Sequence, residues 1–178
     1  MASIGLLPDG ESGHTFHWTV NTGTHHDALR TTDGNTSYVQ TASTGRYLNL
    51  TFDNPIKYGI EADDVKPEGI ESITSVQIVT EGRAVHRTTN ADVDIAFITP
   101  SPGLSEFFSY PPHPTSLQKV LGSVRTTTPL GASWTYGNLN DLGIRITKNG
   151  TIPVAITWVS LSVEYIPKTD GVFFGTNF

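Results

Sequence analysis

A chain of 178 residues has room for one domain with a substantial core and is short for two. Cysteine is absent, which excludes disulfides, thiolate metal sites and thiol nucleophiles. With 11 Lys+Arg against 17 Asp+Glu the formal charge is −6 and the arginines stand singly, so no nucleic-acid partner is expected; no run approaches the roughly 20 apolar residues of a membrane helix, so no membrane partner is expected either.

In chain order, residues 1–15 read as an N-terminal arm that carries Ile4, Leu6 and Leu7 among Gly, Ser and Pro. The first nine residues lack the charged and apolar regions of a secretory leader, so export is not expected and the Asn-x-Ser/Thr triplets at Asn35, Asn49 and Asn149 carry little weight. Residues 15–20 and 37–41 are weak strand candidates. Residues 47–52 alternate clearly, with Leu48, Leu50 and Phe52 on one face and Tyr47, Asn49 and Thr51 on the other. Residues 73–81 are apolar on both faces, as a central strand would be, and Glu81-Gly82-Arg83 reads as a turn or bulge.

Residues 92–98 place Val93, Ile95 and Phe97 inward and stop at Pro100. Residues 100–114 are Pro-rich and read as a loop presenting Phe107, Phe108 and Tyr110 for contact. A weak strand is expected at 119–126 and a clear one at 142–147, where Asn149-Gly150 predicts a hairpin into the last strand. In that strand Val159, Leu161, Val163 and Tyr165 share one face, with Trp158, Ser160, Ser162 and Glu164 opposite. Residues 167–178 read as a C-terminal arm with Phe173, Phe174 and Phe178.

About eight short strands, frequent Gly and Pro, and no apolar helical period define an all-β chain. The expected fold is one jelly-roll-like antiparallel β-sandwich over residues 16–166 with extended N- and C-terminal arms. Large apolar side chains in Gly- and Pro-rich arms need burial, which docking onto a neighbouring polypeptide would supply. Ile4, Leu6, Leu7, Phe173, Phe174 and Phe178 are therefore the expected partner-binding residues.

No arrangement carries catalysis, and no cofactor or metal is expected. His14 and His17, three apart, point to opposite faces of a strand. His25-His26-Asp27 reads as a solvated loop cluster, and Asp63-Asp64 with Glu61 and Glu68 lacks the Asp-x-Asp-x-Asp-Gly pattern of a calcium loop. Asp92 and Asp94 share a strand face about 7 Å apart, yet glycosidase carboxylates normally come from separate elements around a cleft. The chain has no Gly-x-Ser-x-Gly elbow and no phosphate-cradling glycine loop. Trp18, Trp134 and Trp158 could stack on sugar rings as in a carbohydrate-binding module.

Trp134-Thr135 and Leu139-Asn140 leading into alternating Leu142 to Ile146, with a closing Val163-Glu164-Tyr165, together resemble the sandwich domains of tailed-bacteriophage virions. Tyr38-Val39 and Ile73-Thr74-Ser75-Val76 fit the same layout, so the likeness covers roughly residues 30–166. The resemblance implies a capsid decoration, or cement, protein: a homotrimer on the outer surface of the major capsid protein, made in the host cytoplasm and located on the virion exterior. Its alternative is a carbohydrate- or receptor-binding module of a phage tail or baseplate.

Overall fold

The computed structural model describes residues 1–13, 15–30, 36–52, 62–63, 66–67, 70–86, 89–99, 103–108, 113–140 and 142–168. Among the described residues thirteen strands, in chain order, are β1 (Ala2–Leu6), β2 (Pro8–Gly13), β3 (Thr19–Val20), β4 (Val39–Thr41), β5 (Tyr47–Phe52), β6 (Ala62–Asp63), β7 (Lys66–Pro67), β8 (Ile70–Ala84), β9 (Val93–Thr99), β10 (Gly103–Phe108), β11 (Gln118–Leu121), β12 (Gly143–Lys148) and β13 (Val154–Pro167). Two short helices, α1 (His25–Ala28) and α2 (Tyr136–Asn140), and one 3-10 turn complete the described elements.

The strands form an all-antiparallel sandwich. Sheet A runs β11-β8-β13-β4-β3, with β1 also paired to β13, and sheet B runs β10-β9-β12-β5-β2; β6 and β7 pair separately. The chain changes sheet at most connections, which is the jelly-roll way of bringing distant segments into register. Sheet A is built on the long β8–β13 pair, whose register runs from Val154↔Ala84 to Pro167↔Ile70. Strands β4 and β1 take opposite ends of the other β13 edge, at Val154–Ile156 and Leu161–Tyr165 respectively.

Period-two alternation fills the space between the sheets. Leu48 and Leu50 from β5, Val93, Ile95 and Phe97 from β9, Ile144 and Ile146 from β12, and Val159, Leu161 and Val163 from β13 are all buried in one cluster. Trp134 joins the layers: its ring meets Phe97 of sheet B edge-on, at 5.9 Å and 71°, while its Nε1 donates to the Arg125 carbonyl at 2.9 Å. Arg125 in turn bridges to Val76 of β8.

Several expectations are corrected by the structure. Residues 1–15 are not an arm, because β1 extends sheet A and β2 extends sheet B. Leu6 lies in the core and Ile4 packs against it, while Leu7, half-buried, marks the crossing between sheets. Alternation in so short a segment was masked by Gly5, Pro8 and Gly10, yet β13 and β5 offer unpaired edges that the segment satisfies. Residues 103–108 belong to β10, paired with β9, so Phe107 and Phe108 stand on a strand and not in a loop.

The Asn149-Gly150 turn does not make a hairpin. Strand β12 pairs with β5 and β9, whereas β13 lies in the other sheet, so the turn arches across the sandwich. A tight hairpin of this sequence would put Gly150 at positive φ, and Gly150 is not among the positive-φ glycines. The turn is held instead by Lys148, whose Nζ donates to the Gly150 carbonyl; Thr44 Oγ1 donates to the same oxygen at 2.9 Å.

The irregularity expected at Glu81-Gly82-Arg83 falls on the partner strand. Strand β8 continues through it, and the register shift lies between Ile156 and Trp158. There the buried Thr157 hydroxyl hydrogen-bonds to the Glu81 carbonyl at 3.3 Å and to its Oε1 at 3.2 Å. Gly82 is needed at this crossing, since a Cβ would come within 2.7 Å of both the Ala155 carbonyl oxygen and His113 Cδ2. Residues 110, 173, 174 and 178, and all others after 168, lie outside the described residues, as do Asp64, Glu61 and Glu68.

Candidate binding face

The inward residues of β5, β12 and β9 fix which side chains face away from the core. Across sheet B these fall into rows: Tyr47–Thr147–Asp94, Asn49–Arg145–Ala96 and Thr51–Gly143–Ile98. Arg145 stands on the middle strand, directly opposite Asn49 and diagonal to both Tyr47 and Asp94. All four of these side chains are half-buried.

Arg145 is fixed by two contacts of different kinds. Its Nε donates to Asn49 Oδ1 at 2.7 Å, and its guanidinium carbon lies 3.8 Å from the Tyr47 ring centroid, well inside cation–π range. Tyr47 can lie there because Gly13 (φ +93°) leaves space: a Cβ at Gly13 would be 2.5 Å from Tyr47 Cε2. At the rim, Thr51 Oγ1 donates to Asp9 Oδ1 at 2.9 Å. Among the described residues no carboxylate lies within ion-pair distance of Arg145; the ion pairs found there join Glu11 and Asp27 to histidines.

The outer face of sheet A is different in character. Trp158, Glu81 and Lys119 form a row across β13, β8 and β11, and the Lys119 ammonium lies 4.7 Å from the Trp158 centroid. Neighbouring positions are small or apolar: Ser160, Ser162, Val79 and the exposed Leu121. Of the three tryptophans that could stack on sugars, Trp18 and Trp134 are core residues, while the half-buried Trp158 carries the Lys119 ammonium over its ring.

The histidines have structural neighbours. His25 and His26 begin α1, whose N-cap is Thr24. Glu11 of β2 binds them both: His25 Nδ1 lies 2.9 Å from Glu11 Oε1, and the His26 backbone N–H donates to Glu11 Oε2 at 2.6 Å. Burial raises the Glu11 pKa, but the hydrogen bonds from His25 and His26 outweigh it and hold the carboxyl below its ordinary value. Among the described residues no group of three or more acidic or histidine side chains is arranged to hold a metal ion.

Among the described residues two ionisable groups are buried. His113 hydrogen-bonds to Thr80 Oγ1 through Nε2 at 3.1 Å, and desolvation lowers its pKa to about 4. It pins the segment entering β11, since its backbone pairs with Ala91 in both directions. Lys148 is in inward register with Ile144 and Ile146; desolvation lowers its pKa, and the Asp92 charge opposes that shift. Asp92 is exposed beside the turn while Asp94 lies on the sheet B face, so the two do not form a catalytic pair around a cleft.

No protein-family model matches the chain, and no curated protein matches it. Among solved structures it is similar to a truncated AlyQ with CBM32 and alginate lyase domains, at 12% identity and a TM-score of 0.47, over 94% of this chain and 36% of that one. It is also similar to a family 11 carbohydrate-binding module from Clostridium thermocellum in complex with a β-1,3-1,4-mixed-linked tetrasaccharide, at 14% identity and a TM-score of 0.38, over 90% and 86% of the two chains. The chain thus spans about a third of the length of the first.

Proposed function

We propose that this chain is a non-catalytic carbohydrate-binding sandwich module that takes a glycan across the outer face of sheet B. The observation that carries this reading is the patch formed by two adjacent rows on three neighbouring strands, Asn49 and Arg145 in one and Thr147 and Asp94 in the next. Sugars present hydroxyls in pairs, and an amide, a guanidinium and a carboxylate on a rigid sheet can meet such pairs with donors and acceptors held in place. Orientation is already set before binding by the Arg145–Asn49 hydrogen bond and the Tyr47 ring, which lowers the entropy lost on association.

A glycan array followed by calorimetry tests the reading. Asp94→Ala and Asn49→Ala should each weaken the best ligand by roughly five- to tenfold, the equivalent of about 1 kcal/mol per lost hydrogen bond. A parent protein that binds no glycan on the array would end it.

A second reading, docking of a virion decoration protein onto a major capsid protein, is favoured by Leu121 of β11 and by Val124 and Leu130 in the segment after it, which are 54%, 56% and 75% exposed. The N-terminal segment gives it no support, because Ile4 and Leu6 are spent on the sandwich itself. Light scattering should then report a homotrimer that Leu121→Asp with Val124→Asp dissolves; a monomeric parent counts against it.

A further inference from the structure

We infer that the glycan taken by this face is acidic, with a uronate carboxylate received by the Arg145 guanidinium. This rests on the carbohydrate reading above and narrows it to one ligand class.

The argument starts from an uncompensated charge. Arg145 is half-buried at the centre of sheet B, and a partly desolvated cation normally recruits an anion. Asp94 is its diagonal neighbour across β9, yet the side chain turns the other way, toward Asn49 and Tyr47, and makes no ion pair among the described residues. The contacts it does make are with a neutral amide and a neutral ring. These orient the cation without cancelling its charge.

The orientation also matters. Arginine has five N–H donors in a planar fork, and here only Nε is engaged in a hydrogen bond among the described residues. The edge formed by the two Nη groups therefore stays available to two oxygens of one carboxylate, the geometry in which arginine binds carboxylates best. A single arginine beside Asp94 suits one monoanionic carboxylate better than a sulfate ester cluster, whose charge would need several cations. The sugar ring next to that carboxylate would lie over Thr147 and Asp94, where its hydroxyls meet an acceptor.

The test pairs each uronate polysaccharide with its carboxyl-reduced form. Polygalacturonate and polymannuronate, each before and after reduction of its carboxylates to primary alcohols, are titrated into the full chain at physiological ionic strength. At least one uronate polymer should bind tenfold or more tighter than its reduced form. Arg145→Gln should remove that difference, and Arg145→Lys, which keeps the charge and loses the fork, should restore it only in part. Sulfated galactan serves as the competing anion and should bind more weakly than the preferred uronate.

If the reduced polymers bind as tightly as the uronates, or Arg145→Gln keeps the preference, the acidic-ligand inference falls and the carbohydrate reading stands. If neither charged nor reduced polymers bind while other glycans do, the inference falls alone; if no glycan binds, both fall. Circular dichroism melts of Arg145→Gln and Arg145→Lys establish that a loss of binding is not a loss of fold.

Discussion

Among the described residues, each outer face of the sandwich carries one cation over one aromatic ring, and the two pairs are not equivalent. On sheet A, Lys119 lies 4.7 Å from the Trp158 centroid; its side chain is exposed and it stands on an edge strand. On sheet B, Arg145 lies 3.8 Å from the Tyr47 centroid, is half-buried on the central strand, and is tied a second time through Asn49. A point charge on a flexible stem covers the ring and guards the edge against pairing with another chain. A planar fork held at two points is aimed. The same pairwise contact is therefore a lid in one sheet and a binding group in the other, and what differs is the second anchor.

Acid should separate the two sheets with the largest effect on stability. His113, fitted against Thr80 and Gly82 of β8, is neutral in the folded chain with a pKa of about 4, against an ordinary histidine value of 6.5. Between these values the unfolded chain binds a proton that the folded chain refuses, so stability falls as pH drops from 6.5 toward 4. The full loss is roughly 3 kcal/mol, read by urea denaturation at fixed ionic strength across that window. His113→Gln should flatten the slope there, whatever its effect at neutral pH. Glu11, held below its ordinary 4.5, contributes stability that is present above 4.5 and lost as pH falls through its folded value, so it overlaps only the acid end of the histidine window. A slope unchanged by His113→Gln would show that the acid sensitivity of sheet A comes from elsewhere.

The fold was legible where alternation was long and uninterrupted. Leu48, Leu50 and Phe52, or Val93, Ile95 and Phe97, each declare an inward face, and the structure buries all six. Legibility failed where pairing, and not pattern, decides the outcome. Strand β1 has only Ile4 and Leu6 to mark it, and becomes a strand because β13 is long enough to hold β4 and β1 on one edge. Asn149-Gly150 has the composition of a hairpin turn, but Lys148 in inward register draws the chain across the sandwich. The binding face was half visible: Tyr47 and Asn49 were placed together on the solvent side of one strand. Arg145 sits nearly a hundred residues later in a strand whose neighbours could not be read from order, so its meeting with them is a property of the strand order β9-β12-β5 alone.

Exchanging the cations is the finest test of the comparison. Lys119→Arg keeps a charge over Trp158 and has no second anchor to lose, so its melting free energy should stay within about 0.5 kcal/mol of the parent. Arg145→Lys also keeps a charge over Tyr47, but it gives up the Nε–Asn49 hydrogen bond. That should cost about 1 kcal/mol, measured by denaturant unfolding at pH 7. If the two conservative exchanges cost the same, the hydrogen bond to Asn49 adds nothing, and the sheet B pair is no better organised than the sheet A pair. A difference of the expected sign would mean that the amide opposite Arg145 fixes the fork before any ligand arrives.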